Sequence, residues 1–250
     1  MAATRHGSGT TCDPVDSTNL KRGGTLFDVG AHYGWMSIAA ASCAGARGRV
    51  VAFEPSPVLL DVLEYHKRVN RLRQVHIVPA AVSNRDDRAM PFYLVNQGLS
   101  FRNSLTIGPD DTPFLSPKDK LRIDVICTTL DSFVKLTGII PDVVKIDVEG
   151  AELLVLEGAR HVLECYHPVL ILGVHPYWLP RNHSVEQIFV LLEDLEYEVS
   201  GQQILHFEDS YLADYLWTYR RRTSASDVHQ SMMKAKRPDF GIDLSQRSRT

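Results

Sequence analysis

Long apolar runs are missing from this 250-residue chain, and none approaches the roughly 20 residues needed to cross a bilayer. The opening stretch "MAATRHGSGTTCDPVDSTNLKRG" is polar and lacks the apolar core of a secretory signal. Cysteine is scarce and scattered. Cys12, Cys43, Cys127 and Cys165 offer no CxxC spacing for zinc or redox work, and Cys43 and Cys127 lie in apolar runs, as buried thiols do. Neither sign of charge is in excess: a net charge of -3 sets up no field that would draw nucleic acid or a membrane surface. These absences predict a cytoplasmic protein in a reducing setting, without a membrane span or a nucleic-acid partner.

What is present is enough for a core. With 44% hydrophobic residues, the chain can fold most simply as one α/β domain. The ends differ from the middle. Residues 1–23 are rich in Thr, Ser, Gly and Asp and read as a flexible lead-in. The stretch 220–250 carries eight Lys/Arg against three Asp, with few apolar residues and no sustained period, and reads as a basic, disordered tail. No internal repeat or linker divides residues 24–219, which form the expected domain.

Inside that domain strand and helix signals alternate. "TLFDV", "GRVVAFEP", "QVHIVPAAV", "PDVVKIDVEG" and "HPVLILGVHP" read as buried strands; "AMPFYLV" and "LRIDVICTT" add β character around an irregular segment. "SPVLLDVLEYHKRVN" is a helix with Pro57 suited to its first turn, and "AELLVLEGARHVL" is another. "SVEQIFVLLEDL" places Val185, Ile188, Phe189, Leu192 and Leu195 on one helical face. "ADYLWTY" is a last strand. The pattern predicts a mostly parallel sheet with helices on both faces, where ligands bind beyond the carboxyl ends of the strands. Asp28, Glu54, Ala81–Val82, Asp147, Glu149 and His175 all fall at or just past such ends.

"FDVGAHYG" decides between ligands. Gly30 and Gly34 permit a tight turn that a ligand can approach closely. The helix that follows offers N–H groups to an anion. Glu54, about twenty residues on, is suited to ribose hydroxyls. A dinucleotide site would show GxGxxG, but the order here is Gly30-Ala31-His32-Tyr33-Gly34, without the middle glycine. Asp28 before the turn would repel a pyrophosphate and suit a cationic group, such as the sulfonium of S-adenosylmethionine. Charge logic thus favours S-adenosylmethionine over a nicotinamide dinucleotide. In a purely structural role, Asp28 caps the turn and the glycines serve packing.

"FDVGAHYGWMSI", "VVAFEPSP", "VVKIDVEGAELLVLEGA" and "PVLILGVHP" resemble, in order, the signatures of FkbM-family methyltransferases. The resemblance runs from Gly24 to Trp217. "KIDVEGAE" is its most specific element, and "NSL" around Ser104 is similar to a serine-containing segment of the family. It implies a seven-stranded Rossmann-like class I methyltransferase fold and S-adenosylmethionine-dependent methylation of hydroxyl groups. It also implies cofactor contacts at Asp28, Gly30, Ala31, Gly34, Glu54 and Asp147, with adenine near Ala81 and Val82. In one respect the chain departs from the family: members often carry an acid just before the "HP" of the fifth strand, where this chain has Gly173 and Val174.

A hydroxyl acceptor must lose a proton, and Asp147, Glu149 and His175 are the candidate bases. Asp147 is assigned to positioning and His175 to proton removal; the other reading of His175 is a residue at the edge of the core. Glu149 can instead cap the helix that follows. Lys145, inside a strand, is read as half of an internal ion pair. Two carboxylates without a clear third ligand make no metal site, and none is expected. No Asn/Asp-Pro-Pro-Tyr pattern for exocyclic amines follows the fourth strand, which points the acceptor toward oxygen on a small molecule or glycan. A non-catalytic cofactor-binding module and a nicotinamide-dependent oxidoreductase are the alternatives. The acceptor is expected beside "NQGLSFRNSL" and "VHPYWLPRNH", with Tyr177 and Trp178 placed to stack on a ring.

Overall fold

The computed structural model describes residues 20–100, 103–106, 120–176, 178–207 and 210–219, with the backbone alone for 201–207 and 210–214. The lead-in before residue 20, the tail 220–250, Tyr177, and the Phe101–Arg102 part of the expected acceptor segment lie outside the described residues. In chain order the elements are β1 (Thr25–Val29), α1 (Trp35–Ala44), β2 (Arg49–Phe53), α2 (Pro57–Val69), β3 (Val75–Val78), β4 (Ala81–Val82), β5 (Asp87–Val95) and β6 (Lys120–Thr128). They continue as α3 (Leu130–Thr137), β7 (Val143–Ile146), α4 (Glu152–Glu157), α5 (Arg160–Tyr166), β8 (Val169–Val174), α6 (Val185–Asp194), β9 (Tyr197–Phe207) and β10 (Ser210–Tyr219).

Seven strands form the main sheet in the order β3-β2-β1-β7-β8-β10-β9. The first five pair in parallel, and β10 runs antiparallel to both β8 and β9. The chain therefore starts in the middle, winds outward to β3, and returns to lay β7 on the other side of β1. That reversal creates a crevice between the carboxyl ends of β1 and β7, the place where open α/β sheets bind ligands.

Both faces of the sheet are covered, for a reason visible in two consecutive residues. Side chains along a strand alternate between faces. Leu26 packs with Ala40 and Ala41 of α1 and Leu63 of α2. Phe27 instead meets Phe53 and Phe133 edge-on, with ring centroids 5.7 and 5.5 Å away, so α3 lies on the opposite face. Burying each such ring stabilises the fold by about 1.5–3 kcal/mol. On β10, Trp217 and Tyr215 are buried against Phe189 of α6. Leu20 packs on the core cluster of β1, so the folded domain reaches back at least that far. No described helix is long and apolar enough to cross a membrane.

Four details differ from the sequence expectation. "QVHIVPAAV" is not one strand: Pro79 has no N–H to continue the ladder, and the chain leaves β3 to enter a second, three-stranded sheet of order β4-β6-β5. "AELLVLEGARHVL" is two short helices, broken where the backbone at Gly158 passes so near Ser83 that a Cβ would lie 2.1 Å from its carbonyl oxygen. Helix α3, capped by Thr129, whose side chain accepts from Ser132 N–H, is an element the reading omitted. So is β9, which pairs with β10 to close the sheet edge.

Candidate active site

The turn after β1 is fixed from several sides. The N–H groups of Gly30 and Ala31 both donate to the Phe53 carbonyl, at 3.1 and 3.0 Å. His66 of α2 donates through Nδ1 to the Tyr33 carbonyl at 2.8 Å. Gly30 has φ +76°, and a Cβ there would lie 2.0 Å from the Asp147 carbonyl oxygen. Only glycine lets the β1 turn lie this close to the end of β7.

A cleft runs over this contact. Gly30, Glu54, Ala81, Val82, Asp147 and Glu149 line it, so six of the positions singled out in the sequence come together. His32, Phe53, Leu59 and Phe92 also line it, and sequence reasoning gave them no part in the site; Asn103 and Leu105, from the "NQGLSFRNSL" segment expected beside the acceptor, line it too. His32 sat unremarked between the two glycines. Phe92 and Leu105 reach the wall only because the small sheet folds over the crevice, which no local signal announces.

Glu54 closes the far side of the turn. Its Oε2 accepts from His32 N–H at 2.9 Å and its Oε1 from Ser56 N–H at 2.9 Å. Burial pushes its pKa up to about 7, although both N–H bonds pull the other way. Burial also lowers the pKa of the neighbouring His32.

Asp28 does not line the cleft. It is fully buried; Ser37 Oγ donates to its Oδ2 at 2.6 Å, and Lys145 Nζ stands 3.3 Å from its Oδ1. Its charge is thus met from within the protein, and the expectation that it faces a cationic ligand is corrected. Ala31 and Gly34 likewise shape the turn without reaching the cleft wall. Lys145 is the internal partner expected of it. It also donates to the Gly30 carbonyl at 2.8 Å and lies 3.4 Å from Asp147 Oδ2, which ties β7 to the turn. Burial works against its charge, but Asp147 and Asp28 hold its pKa above the ordinary lysine value.

Beyond Asp147 the chain makes a tight turn in which Glu149, at φ +51°, adopts a left-handed conformation unusual for a residue with a side chain. Ser104, buried and paired with Tyr93 of β5, holds that turn by donating from Oγ to the Glu149 carbonyl at 2.7 Å. His175, just past β8, points its Nε2 at Asp147 Oδ1 (3.4 Å) and Glu149 Oε1 (3.6 Å). Its Nδ1–H donates to Glu152 Oε1 at 2.7 Å. Glu152 is fully buried and also accepts from Gly150 N–H at 3.0 Å.

Burial alone would lower the pKa of His175. The hydrogen bond and charge of Glu152, with Glu149 and Asp147, push it up to about 10. Desolvation would raise Asp147, but Lys145 and His175 outweigh it and hold that carboxyl low. A charged imidazole in this position would hold the two carboxylates in place.

The model of the FkbM methyltransferase domain matches residues 28–199. The chain belongs to the FkbM methyltransferase family. Among curated proteins nothing matches it. Solved structures similar to it include an FkbM methyltransferase from Methylobacillus flagellatus KT, 18% identical, with a TM-score of 0.47, covering 77% of this chain and 43% of that one. Others are a precorrin-6y C5,15-methyltransferase from Geobacter metallireducens GS-15 (14% identity, TM-score 0.46, 82% and 85% covered) and Aeropyrum pernix fibrillarin with natively bound S-adenosyl-L-methionine (14%, 0.46, 79% and 67%). This FkbM chain thus spans less than half the length of the Methylobacillus protein. The matched family is one of methyltransferases, and the mostly parallel seven-stranded sheet is the Rossmann-like fold that the sequence signatures led one to expect.

Proposed function

We propose that this FkbM domain transfers a methyl group from S-adenosylmethionine to a hydroxyl on a small molecule or sugar. One observation carries the reading. One cleft is lined both by Gly30 and Glu54 and by Asp147 and Glu149. A donor held on the first pair therefore has acid–base groups beside it in the second.

The residues present fit the donor. Glu54, at the end of β2 with both oxygens fixed by backbone N–H groups, can accept from two ribose hydroxyls. Ala81, Val82, Phe92 and Leu105 give an apolar wall for the adenine. Gly30, with no Cβ to hold the strands apart, lets the turn close on Asp147 beneath the cleft. When bound, S-adenosylmethionine supplies an electrophilic methyl on a sulfonium. Asp28 contributes by holding Ser37 and Lys145, and through Lys145 the Gly30 carbonyl.

The protein's own part in the reaction is orientation and proton handling. Holding an acceptor hydroxyl against the methyl supplies much of the acceleration in an in-line displacement. An acceptor hydroxyl methylated there would release its proton, and Asp147 and Glu149 are the cleft-lining carboxylates that would take it. His175, with Nε2 directed at both, fixes those carboxylates in place.

A labelled-methyl assay over a panel of hydroxylated acceptors tests this reading, with calorimetry against S-adenosylmethionine and NAD alongside. Methyl incorporation that is lost in Asp147→Ala supports it. Donor binding without incorporation into any acceptor would favour a non-catalytic module. Binding of NAD in place of the donor would return the oxidoreductase reading.

A further inference from the structure

Asp147, Glu149 and His175 each direct one ligand-type atom at a common point, all three atoms lying within 4.8 Å of one another. We propose that this point is a divalent transition-metal site, with Asp147 Oδ1, Glu149 Oε1 and His175 Nε2 as ligands and the remaining positions open to the cleft.

The spacing is the first argument. Atoms about 2.0–2.2 Å from one tetrahedral metal lie roughly 3.3–3.6 Å from each other. The separations from His175 Nε2 are 3.4 Å to Asp147 and 3.6 Å to Glu149, too long for good hydrogen bonds and right for ligands around an ion. The second argument is the far side of the imidazole. His175 Nδ1–H donates to the fully buried Glu152 at 2.7 Å, which turns Nε2 toward the two carboxylates. Histidine ligands are oriented in this way, their other ring nitrogen bonded to a carboxylate.

Charge is the third. Asp28, Asp147, Glu149 and Glu152 gather around Lys145 and His175. Lys145 sits on Asp147 Oδ2 and leaves Oδ1 turned to the common point. A proton on Nε2 can serve one carboxylate at a time, whereas a divalent ion serves both carboxylates and the imidazole together. The left-handed backbone at Glu149, held by Ser104, is what turns this carboxylate inward. Two oxygens and one imidazole nitrogen suit Mn2+, Fe2+ or Zn2+ better than a soft ion.

Asp147 and Glu149 both line the cleft, so an ion between them would present its open positions to an acceptor. There it would bind a hydroxyl and lower its pKa, and with Asp147 and Glu149 coordinated the proton would pass to water instead of to them. This last step rests on the methyl-transfer reading; the metal site does not.

The test is metal binding by the full chain, stripped with chelator and titrated calorimetrically with Zn2+ and with Mn2+. One equivalent of at least one ion should bind. Glu149→Gln and Asp147→Asn, both near-isosteric, should each weaken binding at least tenfold. Glu152→Gln, which touches the ligands only indirectly, through the imidazole and the Gly150 N–H, should weaken it about 10–100-fold. The surface variant Glu64→Gln should bind as the parent does. Failure of both ions to saturate the chain, or parent-like affinity in Glu149→Gln and Asp147→Asn, overturns the site. S-adenosylmethionine titrated into the same samples separates the two ideas. Donor binding without metal removes the ion and leaves the proposed function standing, and metal binding without donor does the reverse.

Discussion

His175 and Glu152 are joined by a 2.7 Å hydrogen bond between two side chains withdrawn from solvent. The same Glu152 oxygen accepts from Gly150 N–H, so one atom ties α4, the turn after β7 and the end of β8. Removing one member of a buried charged pair leaves the other uncompensated, at about 3–5 kcal/mol. Glu152→Ala should lower stability by that order, read as a fall in the urea midpoint. Glu152→Gln keeps an acceptor oxygen and should lose clearly less. Parent-like midpoints for both would show that the contact contributes nothing to folding.

Lys145 and Asp28 make a second buried pair whose failure should look different. Lys145→Met keeps the aliphatic stem and removes the charge, leaving the fully buried Asp28 with Ser37 as its remaining bonded partner. A loss of about 3–5 kcal/mol is expected. Adding Asp28→Asn removes the stranded charge and should restore part of that loss, a coupling that a double-mutant cycle measures. Strict additivity of the two changes would mean that the residues do not interact.

Glu54 gives the site a pH dependence with a definite sign. Its pKa is pushed up to about 7 by burial, so it is largely protonated in the donor-free protein below that pH. A protonated carboxyl accepts less well from ribose hydroxyls. Donor affinity should therefore rise with pH by up to about tenfold per unit below 7 and level off above it, and Glu54→Gln should flatten the profile. Stability runs the other way. Because the unfolded chain releases this proton first, the donor-free fold loses stability as pH rises from about 4.5 to about 7, and Glu54→Gln should remove that slope. Calorimetric titrations and urea melts on either side of pH 7 check both.

Much of this was legible in the sequence because it is local. The apolar runs of β1, β2, β7 and β8 announce a parallel sheet, and polar residues at their ends mark the crevice. Glu54, Gly30, Ala81, Val82, Asp147 and Glu149 meet there because parallel strands bring their carboxyl ends together. What stayed hidden depends on contacts distant in sequence. Asp28 looked like a ligand group because nothing near it in sequence shows that Lys145, on the neighbouring strand, takes its charge. His175 gave no sign of its partner Glu152, which lies 23 residues away on a helix. The split of "QVHIVPAAV" could have been found, since Pro79 is a ladder breaker. Thr129 and Gly138 likewise bracket α3 with recognisable caps.

Gly30 and Gly34 stand four residues apart with nearly the same backbone, φ +76° and +83°, yet alanine should not be equally costly at both. The left-handed conformation alone costs a residue with a Cβ about 1–2 kcal/mol. At Gly34 the added carbon would come 2.6 Å from Leu63 Cδ2, the end of a side chain that can move. Gly34→Ala should therefore lose about 1–3 kcal/mol and retain donor binding. At Gly30 the carbon would come 2.0 Å from the Asp147 carbonyl oxygen, which is backbone at the end of β7 and has no rotamer to change. Relief requires β1 and β7 to separate, which moves Asp147 and opens the floor of the cleft. Gly30→Ala should thus lose more stability than Gly34→Ala by urea titration, and it should abolish donor binding even where the chain stays folded. Equal losses, or intact donor affinity in Gly30→Ala, would show that the turn is not held against Asp147 in solution.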